Sequence, residues 1–327
     1  MSHGVDSTGR GKSSFRRTLN FGWLIGVALT LGCSQPAAET SSGAPNDEYR
    51  AEVERFRAER EASLKSDEGW LSVAGLFTLE EGAWKMGSAD GNDIVLPGDA
   101  APPLVGTVER SRDRVFVTLA EGVTPKLNDE PAPEAFELRS AEANPERPAD
   151  QLRLGRLTLF LHRSGPRLAL RLRDPEGPVM RSFTGMRWFP IDARYRIEAR
   201  FTEYAAPRQV PGVNILGDPI SMESPGEAEL TIDGRAVRLQ AWDDNGRVWF
   251  VFRDRLAGSE TYGIRELYAD SPQDGRLLLD FNRSYNAPCA YNPYTTCPTP
   301  PSQNVLSDLA IPAGERLYEG KPLSSGN

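Results

Sequence analysis

A chain of 327 residues has room for one large domain or two modest ones, and 39% hydrophobic with 26% charged residues is enough to build a core. Its formal net charge of −8 argues against nucleic acid as a partner and against a basic patch that would seek anionic lipid heads. Two histidines and three cysteines in no zinc spacing give a metal little to bind, and no cofactor is expected.

The first residues point to a compartment. Arg10, Lys12, Arg16 and Arg17 form a basic flank, and Phe21 to Leu31 is apolar. The run is shorter than the roughly 20 residues a spanning helix needs, so it reads as an export signal. Leu29-Thr30-Leu31-Gly32-Cys33 resembles the lipobox of bacterial lipoproteins, with Gly32 before the cut and Cys33 as the acylated new N-terminus. Thr30 and Leu31 depart from the commonest lipobox residues, and a plain secretory signal with an incidental cysteine is the alternative. Ser34 fits outer-membrane sorting. The expectation is a signal peptide over residues 1–32 and a flexible tether over 33–46. A lipid anchor at Cys33 would hold the protein in the outer membrane, facing the periplasm or the surface. Loss of residues 1–32 removes four basic residues and one acid, taking the charge from −8 to −11.

Asn46 and Asp47 are helix-capping residues, and Tyr49, Val53 and Phe56 recur at helical spacing as far as Leu64. This predicts an amphipathic helix over 47–66. From Gly69 onward the apolar runs shorten and alternate with period two, between Gly, Pro and Asp clusters. That pattern predicts a mainly β fold with two antiparallel units, each a sandwich or barrel. Asn144-Pro145-Glu146-Arg147-Pro148 suggests a boundary, giving a small unit over 67–145 and a larger one over 150–327. Asp233-Gly234 and Asn245-Gly246 predict tight hairpins. Gly87-Ser88-Ala89-Asp90-Gly91-Asn92, running on to Pro97, resembles the start of a forkhead-associated β-sandwich. Ser88 stands where that family has its phosphate-contacting Arg, so the resemblance implies a scaffold and not phosphothreonine reading.

Candidate chemistry falls in two places. Arg171 and Arg173 alternate with leucines and share one face of a strand, as an anion site or as a solvated ion-pair ladder. Asp280-Phe281-Asn282-Arg283-Ser284-Tyr285-Asn286, running on to Pro301, is too rich in proline for a helix or a central strand. It predicts an ordered, irregular loop. Its short polar side chains either converge on a ligand or satisfy the loop's own backbone. Cys289 and Cys297 are an even pair in an exported chain, which predicts a disulfide; a metal site or a reactive thiol are the alternatives. There is no Gly-x-Ser-x-Gly elbow, Ser-x-x-Lys or His-Glu-x-x-His, so whether the protein is an enzyme stays open.

Several stretches occur in one order that is familiar: Asp67-Glu68-Gly69-Trp70-Leu71, the Asn92-to-Pro97 turn, Arg171-Leu172-Arg173-Asp174, Trp188-Phe189-Pro190-Ile191-Asp192, Thr261-Tyr262-Gly263 and the Asp280-to-Pro301 run. On these motifs, over about residues 50–318, the chain resembles the bacterial domain-of-unknown-function family 1684. The resemblance implies an envelope or secreted setting and no assigned reaction. The expectation is a binding module for a small polar ligand or glycan, contacted by Asp280, Asn282, Tyr285 and Asn286 with Arg171 and Arg173 on an anionic group. A hydrolase or lyase with Asp280 as general base, and a structural or protein-docking module, are the alternatives.

Overall fold

The computed structural model describes residues 44–141 and 148–320. The export signal and Cys33 lie outside the described residues. Helix α1 (Asp47–Leu64) starts where Asn46 Oδ1 accepts a hydrogen bond from the Tyr49 amide at 2.8 Å. Asp47 and Glu48 in its first turn suit the positive end of the helix dipole. Tyr49, Val53 and Leu64 are its buried stripe. No helix among the described residues is long and apolar enough to cross a membrane.

The rest is mainly β. The first set of strands is β1 (Val73–Thr78), β2 (Gly82–Gly87), β3 (Ile94–Val95), β4 (Gly106–Ser111), β5 (Arg114–Leu119), β6 (Lys126–Leu127), β7 (Glu130–Pro131), β8 (Ala135–Leu138), β9 (Leu152–Leu154), β10 (Leu157–Ser164) and β11 (Arg167–Arg173). They form one sheet in the order β1-β11-β10-β9-β6-β7 and another in the order β3-β2-β4-β5-β8. Met86, Val108, Val117, Leu159 and Leu170 lie in the core they share. Alternation explains the division of faces: Leu168, Leu170 and Leu172 enter this core, so Arg167, Arg171 and Arg173 take the opposite face of β11.

The expected boundary near residues 145–150 falls inside this unit. Strands β9 to β11 share a sheet with β1, β6 and β7. A unit ending at 145 would leave the leucine face of β10 and β11 uncovered. The apolar clusters divide later, between Leu172 and Tyr195. The short helix α2 (Pro178–Ser182) lies in that connection.

The second set is β12 (Arg196–Val213), β13 (Pro219–Ile232), β14 (Arg235–Gln240), β15 (Trp242–Asp244), β16 (Arg247–Asp254), β17 (Arg265–Ala269), β18 (Arg276–Asp280), β19 (Tyr285–Asn286) and β20 (Val305–Leu306). One sheet runs β14-β13-β12-β18 and the other β15-β16-β17-β19, with β20 parallel to β16. Phe201, Leu239, Phe250, Phe252 and Leu279 are among the side chains of their core. Both predicted hairpins form. Asp233 and Gly234 have φ of 47° and 76°, and Asn245 and Gly246 have φ of 54° and 82°. Paired left-handed residues are what a two-residue turn with the right twist requires.

Strands β12 and β13 continue past their sheet as a long arm whose turn reaches the β10–β11 hairpin. Asn214 Nδ2 donates to Ser164 Oγ at 2.9 Å. Arg167 grips Asp218 with Nε and Nη2 at 2.8 and 2.9 Å. Gly165 is left-handed there (φ 57°), and a Cβ would stand 2.1 Å from Pro219 O. The segment after β19 also crosses to the first unit: Asn292 Nδ2 donates to Trp70 O and Val73 O, both at 2.7 Å.

The expected disulfide does not form: Cys289 and Cys297 are free thiols. They lie within hydrogen-bonding reach of each other, which pulls Cys289 down, while the same contact and burial push Cys297 well up. Both pack with the Trp242, Trp249 and Val251 cluster.

Candidate functional site

Asp280 ends β18, and its carboxylate serves the turn that follows. Oδ1 accepts from Asn282 N at 3.1 Å, from Asn282 Nδ2 at 3.2 Å and from Tyr49 Oη at 2.8 Å. Arg283 Nε stands 3.5 Å from Oδ2. Burial raises Asp280 above the usual carboxylate range, and these donors oppose the rise. Burial, with Asp280 alongside, pushes the Tyr49 phenol up. Asn282 is fully buried: its Nδ2 also donates to Tyr49 Oη and Asp192 O, at 2.9 and 2.8 Å, and its Oδ1 accepts from Asp192 N at 3.0 Å. These contacts fasten the loop to α1.

Tyr285 and Asn286 pair with β17, and alternation sends their side chains opposite ways. Asn286 points inward. Its amide donates to Glu315 Oε2 and its Nδ2 to Arg316 O, both at 2.8 Å, and its Oδ1 is buried without a partner. The ring of Tyr285 carries the Arg60 guanidinium 3.9 Å from its centroid. Tyr268 stacks 6.5 Å from Tyr285 at 20°, and Phe56 lies 6.3 Å away. Arg247 covers Tyr268 at 4.1 Å.

Behind these rings are two buried carboxyls. Glu266 is the cross-strand partner of Tyr285, and burial pushes it up to about 7 against the pull of Arg60. Glu315 accepts from Tyr291 Oη and from the Asn286 amide, and burial pushes it up to about 7 as well. Arg265, on β17 beside Glu266, is fully buried and brought down to about 10 by burial. It donates to Ser284 Oγ at 2.8 Å and to Ile311 O at 3.2 Å, with Asp254 at 3.5 Å.

A cleft of about 910 Å³ opens among these groups. Helix α1 supplies Glu52, Phe56, Glu59 and Arg60 to its wall, and Tyr268, Asp280 and Tyr285 face them from β17, β18 and β19. Arg196 of β12 and Arg247 of β16 are exposed at its margin. Its size suits a small ligand, and rings with a few converging polar groups are the usual lining of such a site. The cleft can hold a flat polar molecule by stacking and by guanidinium contacts. The two carboxyls beneath it change charge near neutrality.

Of the residues expected to share a site, Asp280 and Tyr285 line the cleft. Asn282 and Asn286 support it from within. Arg171 and Arg173 do not line it. They lie on the outer face of β11, where Arg171 is buried between Trp70 (5.3 Å) and Phe160 (6.0 Å), and Arg173 covers Phe160 at 4.9 Å. Nearby, His162 Nε2 meets Thr296 Oγ1 at 2.8 Å, and burial takes His162 down to about 4. Sequence reasoning placed the arginines on one face but had no means of finding which face the cleft adjoins. It missed Arg60, Arg247, Tyr268 and Glu315. For Glu266, the charged pair Arg265-Glu266 inside an apolar strand was a usable signal. No group of three or more His, Cys, Asp or Glu able to hold a metal occurs among the described residues.

Residues 181–316 match the model of a family described as protein of unknown function (DUF1684). No curated protein matches the chain. Among solved structures, the solution NMR structure of an uncharacterised protein from Haloarcula marismortui is similar at 30% identity, covering 44% of this chain and 82% of that one, with a TM-score of 0.36.

Proposed function

We propose, from the premise that residues 181–316 make this chain a member of the DUF1684 family, that its cleft under α1 binds a small polar ligand of about the size of a sugar. The observation that carries this is a cleft of about 910 Å³ lined by the rings of Phe56, Tyr268 and Tyr285 together with Arg60, Arg247 and Asp280. A cleft walled by rings and a few charged groups is the usual lining of a site for a small polar molecule, and the charged groups select among such molecules. Asp280 Oδ1 already accepts three hydrogen bonds, which supports a role in shaping the loop more than one as a general base.

The test is a titration of the purified protein with a panel of neutral and acidic monosaccharides, followed by amide NMR. Shifts should cluster at residues 52–60 and 268–285, and Phe56→Ala and Tyr285→Ala should each weaken binding about tenfold or more. Saturable shifts confined to another face, or affinities that neither variant changes, would sink the cleft reading.

The same proposal places the protein in the cell envelope, held by a lipid on Cys33. Gly32-Cys33 at the end of an apolar run supports it. Metabolic labelling with palmitate should mark the wild type and not Cys33→Ser. Equal labelling of both would remove the anchor.

A further inference from the structure

The arginines of the cleft are not alike. Arg283 is paired with Glu52 and stands 3.5 Å from Asp280, and Arg276 is paired with Glu198. Arg60 and Arg247 have no carboxylate within 4.0 Å among the described residues. Instead each lies on a ring, Arg60 over Tyr285 at 3.9 Å and Arg247 over Tyr268 at 4.1 Å. The two rings are stacked on each other. A guanidinium held over a ring without a carboxylate partner has hydrogen-bonding capacity that no acid of the protein takes up.

Arg60 carries the stronger signal. Its Nε and Nη2 are both buried and neither has a hydrogen-bond partner. Buried donors without acceptors are costly and rare. The carboxyls whose charge it feels, Glu266 and Glu315, are too far to accept from it. The unpaired acids of the cleft, Glu59, Asp270 and Asp274, are exposed at its rim, where water screens them. Nε and Nη2 have almost no surface open to the cleft, so an anion reaching Arg60 would meet Nη1 first, and a turn of the guanidinium would bring the two unanswered donors to it.

Resting on the cleft as the binding site, we propose that its ligand carries an anionic group, a carboxylate or a phosphate, which Arg60 receives with Arg247 beside it. The ligand class is an acidic sugar or a sugar phosphate, with its acid on Arg60.

The test is calorimetric titration of the full chain with glucuronate, glucose 6-phosphate and glucose. At least one acidic probe should bind at least about tenfold more tightly than glucose, and its affinity should fall as salt rises. The acid that binds better identifies the group as carboxylate or phosphate. Arg60→Gln should remove most of the preference. Arg60→Lys should keep the salt dependence but lose affinity, because a point charge replaces the fork. Arg55→Gln, an exposed change on the same helix and away from the cleft, should have no effect. Equal binding of all three sugars, abolished by Tyr285→Ala, would overturn the anion and leave the cleft. Acid binding untouched by Arg60→Gln and Tyr285→Ala alike would overturn both, and failure of every probe to bind would overturn the anionic class.

Discussion

The side chains that sequence reasoning chose for ligand contact divide by their hydrogen bonds. Asn282 uses both ends of its amide on Tyr49, Asp192 and Asp280, and it is fully buried. Asn282→Ala should therefore cost about 1–3 kcal/mol in urea unfolding, because several buried groups lose a partner at once. Glu266 and Glu315 act on stability through pH. Both have ordinary values of 4.5 and are pushed up to about 7 by burial. Below 4.5 each is protonated in both folded and unfolded chains. Between 4.5 and 7 the unfolded chain loses the proton while the folded one keeps it, so stability falls as pH rises through this window and then levels off. Unfolding free energy measured from pH 4.5 to 8 should show that decline, about 3 kcal/mol or less for each group. Glu266→Gln should flatten the slope by roughly half; an unchanged slope would mean that another group carries it. Arg60 belongs at this scale too. Nothing around it in the sequence distinguishes it from Arg55 or Arg57, because its importance comes from residues more than 200 positions later.

At the scale of elements, α1 is a wall of the cleft whose start depends on one cap. Asn46→Ala should cost about 1 kcal/mol and release the first turn. Tyr49 sits in that turn, so its hold on Asp280 at 2.8 Å should loosen with it. Amide exchange should accelerate over residues 49–52 and again near Asn282; acceleration confined to the helix would mean that the two segments are not coupled. The local elements were the legible part of this fold. Asp233-Gly234 and Asn245-Gly246 turn the chain because adjacent residues there are left-handed, a property those residue types announce. Alternating leucines likewise announced the inward face of β10 and β11. The pairing partners of that face did not appear in the sequence, and so the boundary was drawn at a proline cluster inside the unit. The cysteine pair is a different case. Compartment and parity argue for a bond, and in the structure the two thiols are free and pack with the Trp242 and Val251 cluster.

At the scale of the whole molecule, the β12–β13 arm and the Asn292 segment tie the two β units together. Arg167 and Asp218 form the main polar grip of the arm, and Gly165 allows the close approach. Gly165→Ala should destabilise by more than about 1 kcal/mol, since the residue is left-handed and the new Cβ would meet Pro219 O. Asp218→Ala should instead free the arm tip, and limited proteolysis near residues 214–218 should quicken while the core strands stay resistant. Loss of resistance throughout would mean that the arm supports both units. The cleft itself is shared in an uneven way. Its β17, β18 and β19 side lies within residues 181–316, whereas Phe56 and Arg60 come from a helix that precedes that segment by well over a hundred residues. Helix α1 contributes side chains to the cleft without belonging to its sheets, and two kinds of residue divide the work: Tyr49 and Val53 fix it, Phe56 and Arg60 face the cleft. If the cleft binds a ligand as proposed, substitutions at Phe56 and Arg60 should change its preference, while a grafted helix would have to keep Tyr49 and Val53, which hold it to the scaffold.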